Sequence, residues 1–447
     1  MALSYIWAAF FLVGFLAALA QWLILGDPSV FKKVVDGTFD SARVAVMDLA
    51  LPLAGVMTLW MGILAIGEKA GAIDAVARLI APFFSRIFPG VPRDHPATGL
   101  MVMNYAANFL GLDNAATPIG LKAMESLQTL NPQKDEATDA QIMFLVLNTA
   151  GMTLIPVSVM AQRAILGARD PADIFLPTLI ASFAGTLVAL VAVALRQRIR
   201  ISDPVVLGWL GGITAFLVGV VWFFATQLTK EQVQLVSNLV GNLMVFGVIV
   251  AFIGLALRRR VNVYEVFIEG AKGGMQVSLM IIPFLVGMLV AIGVLRNSGV
   301  LDLFVRGVGA GVAALGMNTD FVASLPTAVM KSISGSGARA LAIEAMKAHG
   351  VDSFVGRLVS IIQGSSDTTF YIVALYFGSV GITRTRYAIG YGLLADLAAV
   401  IAAIAVAYLF FHRARLRSPR PSPQGNTTRC RASSPRPGTG CARARSP

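Results

Sequence analysis

Seven stretches of this chain are about long enough to cross a bilayer and carry no charged residue: Tyr5 to Leu25, Leu49 to Gly67, Ala140 to Gln162, Ile174 to Leu195, Val205 to Thr229, Gln232 to Leu257 and Gly273 to Leu295. A helix of ~20 apolar residues covers a ~30 Å hydrocarbon core. Two further stretches, Leu358 to Thr383 and Tyr387 to Phe411, hold one acid each, Asp367 and Asp396. The pattern predicts an all-α polytopic membrane protein with about nine transmembrane helices. Only 13% of the residues are charged, about half the ~25% of a soluble domain, so there is too little polar surface to dissolve the chain in water. No basic n-region precedes the first span and no small-residue cleavage site follows it, which predicts a retained helix and no removable signal.

The formal charge of +12 is a property of one end. Residues 413–447 hold nine Arg and no acid, leaving +3 for the rest (12 − 9). Rich also in Pro and Ser, this tail reads as disordered. Because it contains both cysteines, Cys430 and Cys441, no disulfide framework is available to the folded body. A polybasic tail suits membrane lipid, whereas the lack of interleaved aromatics and of a folded reader module argues against nucleic acid. His95, His349 and His412 have no metal-ligand spacing. Phosphate-loop, nucleophile-elbow and zinc-protease motifs are absent, so the expectation is neither an enzyme nor a cofactor or metal protein.

The two halves repeat one order of features, the pattern to look for first in a transporter. An apolar helix leads into GAIDAVARLIAP (Gly71 to Pro82) in one half and into GVLDLFVRGVGA (Gly299 to Ala310) in the other, setting Asp74 opposite Asp302 and Arg78 opposite Arg306. Both segments read as short amphipathic interfacial helices. A polar turn and a helix follow, GLDNAATPIGLKAME (Gly111 to Glu125) and ISGSGARALAIEAMK (Ile333 to Lys347). Each half then has a polar opening to a span, Asn148 to Thr153 or Gln363 to Thr369, and a final span. With re-entrant hairpins at the turns, each copy makes an odd number of crossings, which predicts two inverted repeats. Arg196, Arg198, Arg200 and Arg258 to Arg260 flank the helix pair between the copies. The positive-inside rule puts that side, and by counting back the N-terminus, in the cytoplasm; the Arg-rich tail then falls opposite.

At GLDNAATPIGLKAMESLQTLNP (Gly111 to Pro132) the chain resembles spore maturation protein A. From Ile282 to Asp396, with LPTAVMKSISGSGARA and IIQGSSDTTFYIVALYFGSVGITRTR, it resembles spore maturation protein B. The resemblance reaches about residue 410 and implies a fused A and B protein, each half carrying a nucleoside-recognition or Gate module similar to parts of concentrative nucleoside transporters. It implies an A-like half at 1–200, a linker helix pair at 201–260, a B-like half at 261–412, and a tail at 413–447 that departs from the family. A multi-pass protein of the bacterial cytoplasmic (inner) membrane is expected.

Polar side chains within spans usually face a cavity or one another, because an unsatisfied group in hydrocarbon costs several kcal/mol. The expected solute-binding residues are therefore Asn108, Asp113, Asn114, Thr117, Asn148 and Thr149 in the first copy and Lys331, Ser334, Ser336, Gln363, Ser365 and Ser366 in the second. Asp113 and Asn114 read as caps, with Pro118 near the first helical turn. Ser334 to Gly337 places successive N–H groups at a helix start. Asp367, flanked by Thr368 and Thr369, is the expected ion-coupling residue for Na⁺ or H⁺. A structural ion pair of Asp367 with Lys331 or Arg339, and capped hairpin bends that serve only close packing, stay open. Asp396 reads as a structural acid with a proton relay as its alternative.

Two functions are consistent with these features. One is secondary transport of a small polar or nucleoside-like solute driven by an ion gradient, in a monomer or homo-oligomer. The other is a non-transporting scaffold in envelope or spore maturation that recruits or regulates partner proteins.

Overall fold

A computed structural model describes residues 2–412 except Arg93, Ile155 and Thr229. The expectation for the tail at 413–447 lies outside the described residues. Among those residues the chain is all helix, the one β-type pairing being an isolated bridge between Glu136 and Arg384.

Helix α1 (Ala2–Leu25) is followed by α2 (Ser29–Arg43), which continues through a π-helical turn at Val44–Ala50 into α3 (Leu51–Lys69). The π register lies just ahead of Pro52, whose ring cannot sit against the carbonyl four residues back. The continuous run of 41 residues is roughly 60 Å long at 1.5 Å per residue, about twice the hydrocarbon thickness. Then come α4 (Ala72–Ile87), α5 (Pro96–Phe109), α6 (Asp113–Thr129), α7 (Asp139–Ala150), α8 (Val157–Ile165) and α9 (Phe175–Arg196). Helices α10 (Pro204–Thr226) and α11 (Lys230–Arg258) form the intervening pair. The order then repeats as α12 (Val263–Asn297), α13 (Val300–Ala314), α14 (Leu325–Ile333), α15 (Gly335–His349), α16 (Phe354–Ser365), α17 (Thr369–Ser379) and α18 (Ala388–Phe411).

The repeat seen in the sequence is therefore a repeat of elements, α3 to α9 against α12 to α18. Gly71 (φ +76°) and Gly299 (φ +74°) each take the left-handed conformation that turns the chain into α4 and α13. Equivalent helices pack on one another. Gly274 of α12 lies against Met57 and Thr58 of α3, Gly270 against Met61 and Ala65, and Phe267 against Gly62. Residue numbers rise on one helix as they fall on the other, so these equivalents run antiparallel, the relation an inverted repeat requires. The missing side chains at Gly62, Gly270 and Gly274 allow the close approach, as small residues do between membrane helices. Gly185 of α9 does the same against Ala395 and Ala399 of α18.

Among the described residues seven helices are long and apolar enough to span a membrane, or eight if the pair Leu285–Asn297 and Val300–Ala314, bent by 68°, is one span. Against the nine expected, Gly273 to Leu295 counts only through that bent pair, and Ala140 to Gln162 is not among the spans. Free of charge throughout, Ala140 to Gln162 is not one helix: α7 is closed by Gly151 (φ +56°), and α8 begins only at Val157, after Pro156. A second correction concerns α6, which starts at Asp113 with Leu112 as its N-cap, so Pro118 sits in the second turn and not the first.

Candidate functional site

Four segments converge, two from each copy. The hairpin α5–α6 turns at Gly111, where Gly111 N–H donates to Asn108 O and Leu112 N–H to Ala107 O, satisfying the carbonyls at the end of α5. The hairpin α14–α15 turns on Ser334 alone: its Oγ accepts from Gly337 N–H at 3.1 Å, capping α15, and lies 3.2 Å from Ser336 Oγ. The other two segments are the broken helices α7/α8 and α16/α17, the second interrupted at Ser366–Thr368. Their breaks meet. Asp367 N–H donates to Thr149 O at 2.8 Å, and a Cβ on Gly151 would stand 3.0 Å from the same nitrogen.

At this crossing lies a cavity of about 170 Å³, bounded by all four segments. Asn108 and Asn148 line it from the first copy, with Gly111, Thr153 and Ser158; Lys331, Arg339, Gln363, Ser366 and Asp367 line it from the second. Asn108 Nδ2 donates to Asn148 Oδ1 at 2.8 Å, and Asn148 Nδ2 to Phe144 O at 2.9 Å. Buried Tyr376 of α17 donates its hydroxyl to the same Asn148 oxygen at 3.4 Å. That hydroxyl fits because residue 120 is glycine, on which a Cβ would come within 2.3 Å of it. Across the cavity, buried Lys331 donates from Nζ to Gln363 O at 2.9 Å, while Gln363 Oε1 is buried without a hydrogen-bond partner. The Asp367 carboxylate is exposed in the break and accepts from Thr368 N–H at 2.8 Å.

Of the residues singled out from sequence, the cavity brings together Asn108, Asn148, Lys331, Gln363, Ser366 and Asp367. The others whose side chains are described lie elsewhere. Thr149 and Ser365 donate to the carbonyls of Leu145 and Ile362 in their own helices. Ser334 and Ser336 form the capped turn, Thr117 is half-buried on α6, and Thr368 is buried in the break. Thr369 Oγ1 donates to Asp396 Oδ2 at 2.6 Å. The side chains of Asp113 and Asn114 lie outside the described residues. Sequence reasoning missed Thr153, Ser158 and Tyr376 as site residues. It took Arg339 only as an ion-pair partner; an Arg in the second turn of α15, the first charged residue after the polar turn, was the available signal.

The broken helices are tied between the copies at both ends. At one end, Arg163 of α8, with its side chain fully buried, pairs with Asp173 at 2.8 Å and Asp352 at 3.2 Å, and donates to Val351 O. Arg357 of α16 pairs with the other Asp173 oxygen at 2.7 Å. At the other end, Arg384 and Arg386, ahead of α18, pair with Asp135 and Glu136, ahead of α7, and with Asp139, its first residue. The repeat makes the two networks equivalent, each joining the segment after one broken helix to the start of the other. They differ in burial: Asp173 is 1% exposed, whereas Arg384 and Asp135 are each over half exposed.

Comparison with known proteins follows this division. The family model described as Gate, nucleoside recognition, matches twice, at residues 50–166 and 278–383. Spore maturation protein A of Bacillus subtilis (strain 168) is 36% identical over 186 residues, which is 42% of this chain and 91% of that protein. Spore maturation protein B of the same organism is 44% identical over 153 residues, 34% of this chain and 84% of that protein.

Proposed function

From a multi-pass membrane protein that belongs to the Gate family together with spore maturation proteins A and B, we propose secondary transport of a small polar or nucleoside-like solute across the bacterial cytoplasmic membrane. One observation carries the reading: the polar cavity at the crossing of two broken helices, with walls from both copies of an antiparallel repeat. Irregular backbone and ionisable side chains at membrane depth are costly, and they recur where a transporter holds its cargo between inverted repeats. A volume of about 170 Å³ holds about five or six waters. It is smaller than the ~300–1,000 Å³ of drug-sized sites, which suits a solute the size of a nucleobase or an amino acid. In this reading Asn108 and Asn148 offer amide groups from one copy, and Asp367, Lys331 and Arg339 supply charge from the other.

The test is a thermal-shift screen of the purified chain in detergent against nucleosides, nucleobases, amino acids and small carboxylates. A ligand at 100 times its dissociation constant stabilises the fold by about 2.7 kcal/mol. Asn148→Ala removes the amide that Asn108 and Tyr376 hold in place, and should weaken that ligand about tenfold, or ~1.4 kcal/mol. Cysteines placed at Asn108 and Gln363 should react with a water-soluble thiol reagent and be protected by the same ligand. No stabilising compound, no labelling, and a protein that co-purifies in fixed ratio would instead favour the scaffold.

A further inference from the structure

Asp396 lies outside the solute cavity, and its carboxylate is incompletely satisfied. It sits in the middle of α18 at 3% exposure, with Oδ2 accepting from Thr369 and Oδ1 buried without a hydrogen-bond partner. The hydroxyls of Ser332 and Ser366 face the same carboxylate. Ser366 also lines the solute cavity, so one side chain separates the carboxylate from the solute. Thr369 is the first residue of α17; the Thr369–Asp396 bond therefore anchors the start of a half-helix just past the break.

We propose that Asp396 carries the proton that couples to solute movement, an inference that rests on the transport reading above. The surroundings hold an acceptor for a proton. From α14, Lys331 places an ammonium in the field of the carboxylate, a fixed counter-charge for the ionised acid. A proton needs one acceptor atom, and Oδ1, buried without a hydrogen-bond partner, is that atom. The other helices packed on α18 bring little competing charge. There is no titratable side chain between Phe175 and Leu195 of α9 or between Gln232 and Leu257 of α11. Helix α7 carries Asp139, held by Arg386 at its far end, and α16 carries Arg357, held by Asp173. Helix α17 brings Tyr371 and Tyr376, and Asp367 lies in the break.

The coupling follows from the hydrogen bond. A hydroxyl bound to a carboxylate is held about twice as strongly as one bound to a neutral acid. Ionised Asp396 therefore fixes α17 at the break and balances Lys331; protonated, it loosens α17 and leaves the Lys331 charge to the cavity.

Infrared difference spectra of the full chain in detergent between pH 9 and pH 5 should show the C=O stretch of a protonated carboxyl, shifted in D₂O. The band should vanish in Asp396→Asn and persist in Asp367→Asn. Thr369→Val keeps the acid but removes its donor, so it should displace the midpoint of the band's titration and guard against a misfolded Asn variant. A band untouched in Asp396→Asn, or a midpoint unmoved by Thr369→Val, overturns the proposal. So does a rise in thermal midpoint specific to NaCl over choline chloride that Asp396→Asn removes, which would make the site a metal-cation site. None of these measurements uses a solute. A band behaving as expected beside an empty ligand screen would therefore leave the proton site standing and count against transport alone.

Discussion

Asp173→Ala is expected to lower the stability of the folded chain by roughly 3–5 kcal/mol, the cost of leaving a buried ion-pair partner uncompensated. The partner is Arg163, whose side chain has no exposure, and Arg357 loses its 2.7 Å contact in the same step. Asp352, one-quarter exposed and 3.2 Å from Arg163, replaces only part of the lost charge. The symmetry-equivalent change at the other end, Arg384→Ala, should cost about 0–1 kcal/mol, because both members of its pair with Asp135 are over half exposed and water screens them. Thermal unfolding of both variants in one detergent measures the contrast. Equal losses would mean that burial does not distinguish the two networks.

Gly151→Val should have the second largest effect, and on ligand binding as well as on stability. Gly151 closes α7 at φ +56°, and its added Cβ would meet the backbone nitrogen of Asp367 at 3.0 Å. That nitrogen belongs to the hydrogen bond that joins the two breaks. Left-handed strain and overpacking against backbone together come to about 2–5 kcal/mol. As a reference, Gly26→Ala carries the left-handed strain alone, since Gly26 has φ +68° and nothing within 4 Å, and should cost about 1 kcal/mol. The valine variant should also lose any ligand-induced shift in thermal midpoint, because Asn148 and Asp367 no longer share one cavity. A variant that binds and melts like wild type would show that the cavity does not depend on the crossing of the breaks.

Much of the architecture was legible along the chain, because membrane helices write their own composition. Charge-free runs mark the spans, and the repeated Gly–Asp–Arg pattern at Gly71 and Gly299 marks the start of α4 and α13 in both copies. Polar residues that interrupt apolar runs, Asn148 in one copy and Gln363, Ser366 and Asp367 in the other, pointed to the cavity wall, since hydrocarbon tolerates such groups only where something solvates them.

Other features were settled only by the tertiary structure. Whether Ala140 to Gln162 crosses as one helix depends on the left-handed backbone at Gly151 and on Asp367 occupying the gap, and a count of apolar residues weighs neither. The partners of Asp396 were hidden for the same reason: Thr369 lies 27 residues away, and Ser332 comes from another hairpin. Arg163 and Asp352 are 189 positions apart. Composition and periodicity report the environment that a helix needs, because neighbouring residues share it. Which buried charge meets which, and what cavity they leave between them, depends on packing between the two copies, and that free energy is not written in any local stretch of chain.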